Sequence, residues 1–273
     1  MNQGLIERYE RDGYLVMEHL IGRSEVMELR EEAEKLCLER GGALAGNSDT
    51  TSSDPLAAYL AIHFPHKLSS RFREALAHPR IVDLLTSLIG PNVKCMQSML
   101  FIKHAGKPGQ AWHQDEDFIP TRDRSLTAAW IALDDATIDN GCLWAIPGSH
   151  RSGVLWPLRK HANPEYDSIP ESFDFPYEER DARPIEVAMG SVVFFNGYLL
   201  HRSLRNRRRD GFRRALVNHY MRAESLLPWW RPGGPHAPTQ DFRDVVLVAG
   251  ADPYAAKGYE DVNRPYIRSE ASG

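Results

Sequence analysis

The apolar positions along this 273-residue chain change their period once, near residue 90. After Ser24, the residues Val26, Leu29, Ala33, Leu36 and Cys37 recur at helical spacing, which predicts a helix with Ser24 as its cap. A second helix is predicted from Pro79, a favoured first position, with Ile81, Leu84, Leu85 and Leu88 on one face and Gly90 as its stop. Between the two, GGALAGNSDTTSSDP is rich in Gly, Ser and Thr and reads as a loop. From Val93 the texture becomes strand-sized runs set apart by turn residues: VKCMQSMLFIKH, LTAAWIALDDA, CLWAIP, PIEVAMGSVVFF and RRALVNHYM. Such spacing without alternating helices predicts a β-sandwich or barrel. The expectation is one domain over residues 1–273: a largely helical flank (1–90), a β-barrel core (91–222) and an irregular C-terminal segment (223–273) that includes PWWRPGGPHAPTQDF.

Shorter signals fill in this frame. Asn140-Gly141 in DNGC suits a type I′ hairpin turn. The basic run RNRRRDGFRR lies between two predicted strands and reads as a solvated hairpin loop rather than a nucleic-acid patch. His104 and His219 read as strand residues with ordinary partners, and His150 as a turn or surface residue.

Composition narrows the class. A hydrophobic content of 42% with 26% charged residues is that of a globular chain with a sizeable core. The formal net charge of −4 argues against nucleic acid as a partner. The longest apolar runs, such as SVVFFNGYLL, are strand-sized and well short of the ~20 residues a bilayer-spanning helix needs. The N-terminal MNQGLIERYERDGY lacks the regions of a secretory signal, and Cys37, Cys95 and Cys142 form no close pair, so a reduced, cytoplasmic setting is expected.

Candidate chemistry begins with AWHQDEDF. His113 and Asp115 lie two apart, so on an extended chain both side chains leave one face. The run SVVFFNGYLLH reads as one buried strand that delivers His201 at its end, and in an antiparallel barrel that strand can face the other pair. Two imidazoles and a carboxylate suit non-haem Fe(II) with open positions, and they can equally hold zinc with one open site. Arg213, twelve residues beyond His201, would start the returning strand and can grip a carboxylate bidentately, with Ser203 adding a hydroxyl donor. A metal beside such a clamp suits a keto acid.

On the blocks QSMLFIKHAGKPGQAWHQDEDF, AAWIALDDATIDNGCLWAIPGSHRSG and GSVVFFNGYLLHRSLRNRRRDGFRRAL, the chain resembles the phytanoyl-CoA dioxygenase family of Fe(II)- and 2-oxoglutarate-dependent oxygenases. The resemblance implies a mainly β fold with flanking helices, the double-stranded β-helix of jelly-roll or cupin type. It implies His113, Asp115 and His201 as iron ligands, and Gln97, Met99, Trp130, Ser203 and Arg213 as 2-oxoglutarate contacts, with Arg214 the alternative clamp. Where some members use an upstream lysine, this chain offers His63 or Lys67. Related halogenases replace the iron-binding carboxylate with a small residue, so Asp115 favours oxygen insertion. The implied reaction consumes O2, decarboxylates 2-oxoglutarate to succinate and CO2, and hydroxylates a C–H bond of a small-molecule substrate. The rival classes are a zinc-dependent cupin-type enzyme and a non-catalytic 2-oxoglutarate-binding protein. The substrate pocket is expected to be walled by 45–67, 151–180 and the tail from Leu226, with Trp144, Trp156, Arg159, Lys160, Trp229, Trp230 and Arg231.

Overall fold

Two antiparallel sheets face one another across an interior cavity, and helices cover the outer side of the larger one. The structure, a computed structural model, describes residues 3–40, 56, 59–226 and 245–268. The larger sheet contains β1 (Tyr14–Met17), β2 (Ala61–His63), β3 (Val93–His104), β5 (Thr127–Ala132), β10 (Val192–Asn196), β12 (Phe212–Arg222), β13 (Val246–Ala249) and β14 (Tyr266–Arg268). Its order is β1-β10-β5-β12-β3-β2-β14, with β13 also on β3. The smaller sheet contains β4 (Gln110–His113), β6 (Leu143–Ala145), β9 (Arg183–Ile185) and β11 (His201–Ser203), in the order β4-β11-β6-β9. A short pair, β7 (Leu158–Arg159) and β8 (Glu171–Ser172), stands apart. The helices are α1 (Gln3–Asp12), α2 (Arg23–Arg40), α3 (Ser70–Leu76), α4 (Pro79–Leu88) and the single turn α5 (Asp115–Phe118). This is the mainly β, jelly-roll class expected, as two facing sheets rather than a closed barrel.

Alternation along the central strands produces two cores. On β12, Leu216 and Tyr220 face the helices and pack with Val26, Leu29 and Ala33 of α2 and Ile81 and Leu85 of α4. The intervening Ala215 and Val217 face inward and pack with Met99, Trp130 and Phe195. Both faces are therefore apolar at mid-strand, which is why β3 and β5 read as nearly continuous hydrophobic runs. Tyr220 is fully buried and donates its hydroxyl hydrogen to Leu76 O at 2.9 Å, tying the sheet to α3. Its truncation to Ala is expected to cost roughly 3–5 kcal/mol, the range for large core aromatics.

Several local expectations change. α2 starts one residue before Ser24, and the first-turn acceptor is Glu25 Oε2, which takes the Gly22 N–H at 2.9 Å. SVVFFNGYLLH is not one strand: β10 ends at Asn196, whose Oδ1 accepts the Tyr198 N–H at 2.9 Å, and the chain turns into β11 of the other sheet. DNGC is not a type I′ hairpin turn, because Gly141 has a positive φ and Asn140 does not. Asn140 instead folds its own loop, accepting the Thr137 N–H at 2.8 Å and donating to Asp135 O at 2.8 Å. RNRRRDGFRR links β11 to β12 across the two sheets rather than forming a hairpin. The flank contributes strands β1 and β2, and the tail contributes β13 and β14. The loop at 41–55 and the segment PWWRPGGPHAPTQDF lie outside the described residues. Among the described residues no helix is long and apolar enough to cross a membrane.

Candidate metal centre and its cavity

Strands β4 and β11 pair with His113 directly opposite His201. The two imidazoles stand with ring centroids 4.1 Å apart. The strand ends at His113; Gln114 is still extended, and Asp115 opens α5. The carboxylate therefore arrives by a bend rather than by strand alternation, yet its Oδ1 lies 3.7 Å from Nε2 of both His113 and His201. One donor atom from each of the three lies within 4.8 Å of the others. Gln114 anchors the bend: its Nε2 donates to Val154 O at 2.9 Å and Tyr198 O at 2.8 Å, and its Oε1 accepts the Trp156 N–H at 2.8 Å.

Hydrogen bonding fixes the protonation pattern. Nδ1 of His113 faces Ala111 O at 2.7 Å and Nδ1 of His201 faces Leu199 O at 2.9 Å. A carbonyl only accepts, so each Nδ1 carries the hydrogen and each Nε2 is left facing the centre. Burial, reinforced by His201, pushes His113 down to about 3, so it stays neutral near pH 7. Burial would raise the Asp115 carboxyl, but His201, the hydrogen bond from His219 and His113 together hold it below its ordinary value. Two lone pairs facing a carboxylate oxygen repel one another unless a cation lies between them. This donor set fits a divalent metal.

The opposite end of the cavity has the other sign. On β12 the inward positions 213, 215, 217 and 219 pair with 103, 101, 99 and 97 on β3. Arg213 is 2% exposed, donates Nε–H to Gly141 O at 3.2 Å and lies 5.5 Å from the Trp130 ring centroid. Its terminal nitrogens make no hydrogen bond with the described residues. Burial pushes the guanidinium down to about 10, so it remains charged near pH 7. Arg214 faces away from the cavity and pairs with Asp134 at 2.8 Å and Glu34 at 2.7 Å. An inner chamber of about 60 Å³ is lined by Met99, Trp130, Ser203 and Arg213 together with His113, Asp115 and His201. It opens at His113, Asp115 and His219 into a vestibule of about 280 Å³ lined by His63, Gln97, Phe118, Ile169, Asn263, Tyr266 and Arg268.

The expected site residues thus meet around one inner chamber, with Gln97 in the adjoining vestibule. Lys67 does not reach it: its Nζ pairs with Asp261 at 2.5 Å on another face, whereas His63 stacks on Tyr266 in the vestibule. Trp144 and Trp156 pack with Trp112 behind the smaller sheet. Arg159 pairs with Glu171, and Lys160 is exposed. From 151–180 only Ile169 lines the vestibule. Trp229, Trp230 and Arg231 lie outside the described residues. Sequence reasoning missed His219, whose Nε2–H donates to Asp115 Oδ2 at 3.2 Å, as well as Gln114 and Lys103. The one sequence signal for His219 is its even spacing from Arg213 on a single strand.

A sequence profile of the phytanoyl-CoA dioxygenase family matches residues 9–215. Phytanoyl-CoA dioxygenase of Arabidopsis thaliana is 37% identical over 148 residues, covering 53% of this chain and 50% of its own. The peroxisomal phytanoyl-CoA dioxygenase of Rattus norvegicus is 28% identical over 230 residues, covering 78% of this chain and 66% of its own. The chain therefore spans about half to two thirds of the length of these curated relatives. The solved structure of the epimerase SnoN in complex with Fe3+, alpha ketoglutarate and nogalamycin RO shares the fold, with a TM-score of 0.68, 22% identity, and coverage of 92% of this chain and 96% of that one. With the match extending over most of its length, the chain belongs to the phytanoyl-CoA dioxygenase family.

Proposed function

We propose that this protein is an Fe(II)- and 2-oxoglutarate-dependent dioxygenase that hydroxylates an unactivated C–H bond of a small organic metabolite, converting 2-oxoglutarate and O2 to succinate and CO2. His113, Asp115 and His201 are the iron ligands in this reading. Arg213 grips the far carboxylate of the keto acid, with Ser203, Trp130, Met99 and Gln97 as further contacts. The observation that carries the reading is the pair of unmet charges in one cavity: a donor set that fits a cation, and across from it a buried guanidinium whose terminal nitrogens have no hydrogen-bond partner among the described residues. Zinc alone would account for the first and not the second.

Bound iron supplies O2 activation coupled to oxidative decarboxylation. The chain's own residues bind, orient and exclude water. Two imidazoles and one carboxylate leave coordination positions open for the keto acid and O2. Apolar Met99, Val217 and Trp130 line the space between the two ends, which lowers the local dielectric and strengthens the Arg213 contact. The vestibule, with Phe118, Ile169 and Tyr266 beside the polar His63, Gln97 and Asn263 and the charged Arg268, suits a substrate with an apolar body.

Anaerobic addition of 2-oxoglutarate to the Fe(II)-loaded protein is expected to give a visible charge-transfer band. Admitting O2 with a turned-over substrate is expected to release succinate and place one atom of 18O2 in the product. Failure of 2-oxoglutarate to give the band overturns the cofactor reading; succinate release without oxygen in the product overturns hydroxylation.

A further inference from the structure

The register that brings Arg213 into the cavity wall also sets beside it, behind that wall, a second basic side chain that the proposed function leaves without a role. Lys103 lies directly across from Arg213 and is 2% exposed. Its Nζ donates to Ser203 Oγ at 2.9 Å, Leu204 O at 2.7 Å and Gly141 O at 3.3 Å. An ammonium has three N–H donors and no acceptor, so all of them are used and none meets a carboxylate. Ser203 Oγ also accepts the Gln110 N–H at 3.3 Å. Both lone pairs of that hydroxyl are then occupied, and its own hydrogen has to be donated. Ser203 lines the inner chamber together with Arg213, so the hydrogen is available to an anion there.

Gly141 O receives both Lys103 Nζ and Arg213 Nε, so one carbonyl holds the two cations in place. No other residue fits: φ is +80°, and a Cβ would lie 2.2 Å from Leu204 O and 3.0 Å from Lys103 Nζ. The nearby carboxylates are engaged elsewhere, Asp134 by Arg214 at 2.8 Å and Asp167 by Arg268 at 3.1 Å.

We propose that Lys103 is a positioning residue that makes this cavity select a dicarboxylate: it fixes the Ser203 hydroxyl as a donor toward the far carboxylate and, through Gly141 O, holds Arg213 beside it. The inference rests on the 2-oxoglutarate reading. Burial and then Arg213 push the Lys103 ammonium well below its ordinary value, and a carboxylate arriving beside Arg213 favours its charged form.

The test compares 2-oxoglutarate with pyruvate, which chelates iron through the same atoms and lacks the second carboxylate. Affinities are read anaerobically from the charge-transfer band in the Fe(II)-loaded wild type, Lys103→Met, Ser203→Ala and the double variant. Lys103→Met is expected to bind 2-oxoglutarate about tenfold or more weakly, the worth of a hydrogen bond to a charged group, with pyruvate affinity unchanged. The double variant is expected to lose little more than either single one. If Lys103→Met does not fold, Lys103→Leu, which likewise removes the charge and every donor, carries the same comparison. Unchanged 2-oxoglutarate affinity, an equal fall for both keto acids, or strictly additive losses would each overturn the proposal. A wild type that binds neither keto acid would instead overturn the functional reading.

Discussion

The two ends of the cavity are built from opposite kinds of unsatisfied charge. At one end a carboxylate faces the Nε2 atoms of two imidazoles whose Nδ1 hydrogens go to backbone carbonyls, an arrangement that attracts a cation. At the other, Arg213 and Lys103 lie buried with no carboxylate of the described residues in contact, an arrangement that attracts an anion. Both ends touch the same strand, since His219 and Arg213 occupy inward positions of β12 with Ala215 and Val217 between them. The apolar spacer matters because it stops the two ends from neutralising one another. Each end is left for a ligand to satisfy, and a metal chelated by a dicarboxylate satisfies both at once.

The largest effects follow from removing the cation-seeking end. Asp115→Ala and His113→Ala are each expected to abolish Fe(II) binding at micromolar metal, measured by equilibrium dialysis of the anaerobic protein. Stoichiometric iron in Asp115→Ala would place the metal somewhere other than between these donors. Next comes the anion-seeking end. Arg213→Met is expected to keep iron and to lose on the order of 100-fold in 2-oxoglutarate affinity, as when one partner of a buried charged pair is truncated. Titration of the charge-transfer band reads this directly; equal affinity would show that the guanidinium is not the clamp.

Both ends were legible in the sequence only in part. His113, Asp115, His201 and Arg213 stand out because they sit in blocks resembling those of a known family. The long β3 stands out as a strand-forming run of twelve residues between turn signals, and α4 because its ten residues keep the helical period. What the pattern concealed was path and pairing. SVVFFNGYLLH is uniformly apolar on either side of Asn196-Gly197, so hydrophobicity alone hides the change of sheet. β1 and β2 are only four and three residues long and carry no period of their own. Lys103 and His219 acquire meaning only from the β3–β12 register, which sets Lys103 against Arg213 and aims His219 at Asp115. A single sequence contains no register.

His219 offers a sharper cut within the metal end. Its Nε2–H holds Asp115 Oδ2 at 3.2 Å, which leaves Oδ1 as the oxygen facing both imidazoles. His219→Ala is expected to weaken Co(II) or Fe(II) binding by about 10- to 100-fold, as for other residues that orient a metal ligand. The preference for 2-oxoglutarate over pyruvate is expected to stay as in the wild type, because the anion end is untouched. His219→Gln retains a donor and is expected to recover part of the metal affinity. A His219→Ala protein with wild-type metal affinity would mean that Asp115 is held by α5 alone.

The smallest effect on ligands is expected one residue from one of the largest. Arg214 has the same charge as Arg213 and follows it directly, but alternation turns it to the outer face, where it pairs with Asp134 and Glu34. If side-chain direction decides the anion end, Arg214→Met leaves 2-oxoglutarate affinity within twofold or so of wild type, a difference of less than ~0.5 kcal/mol. Its cost should appear in urea denaturation, where breaking a buried ion pair takes ~3–5 kcal/mol and the remaining Arg30 contact to Asp134, at 3.5 Å, favours the lower value. A fall in 2-oxoglutarate affinity as large as that of Arg213→Met would mean that the overall positive charge of this strand end, rather than the inward guanidinium, holds the co-substrate. The contrast between the two ends would then be one of net field and not of built contacts.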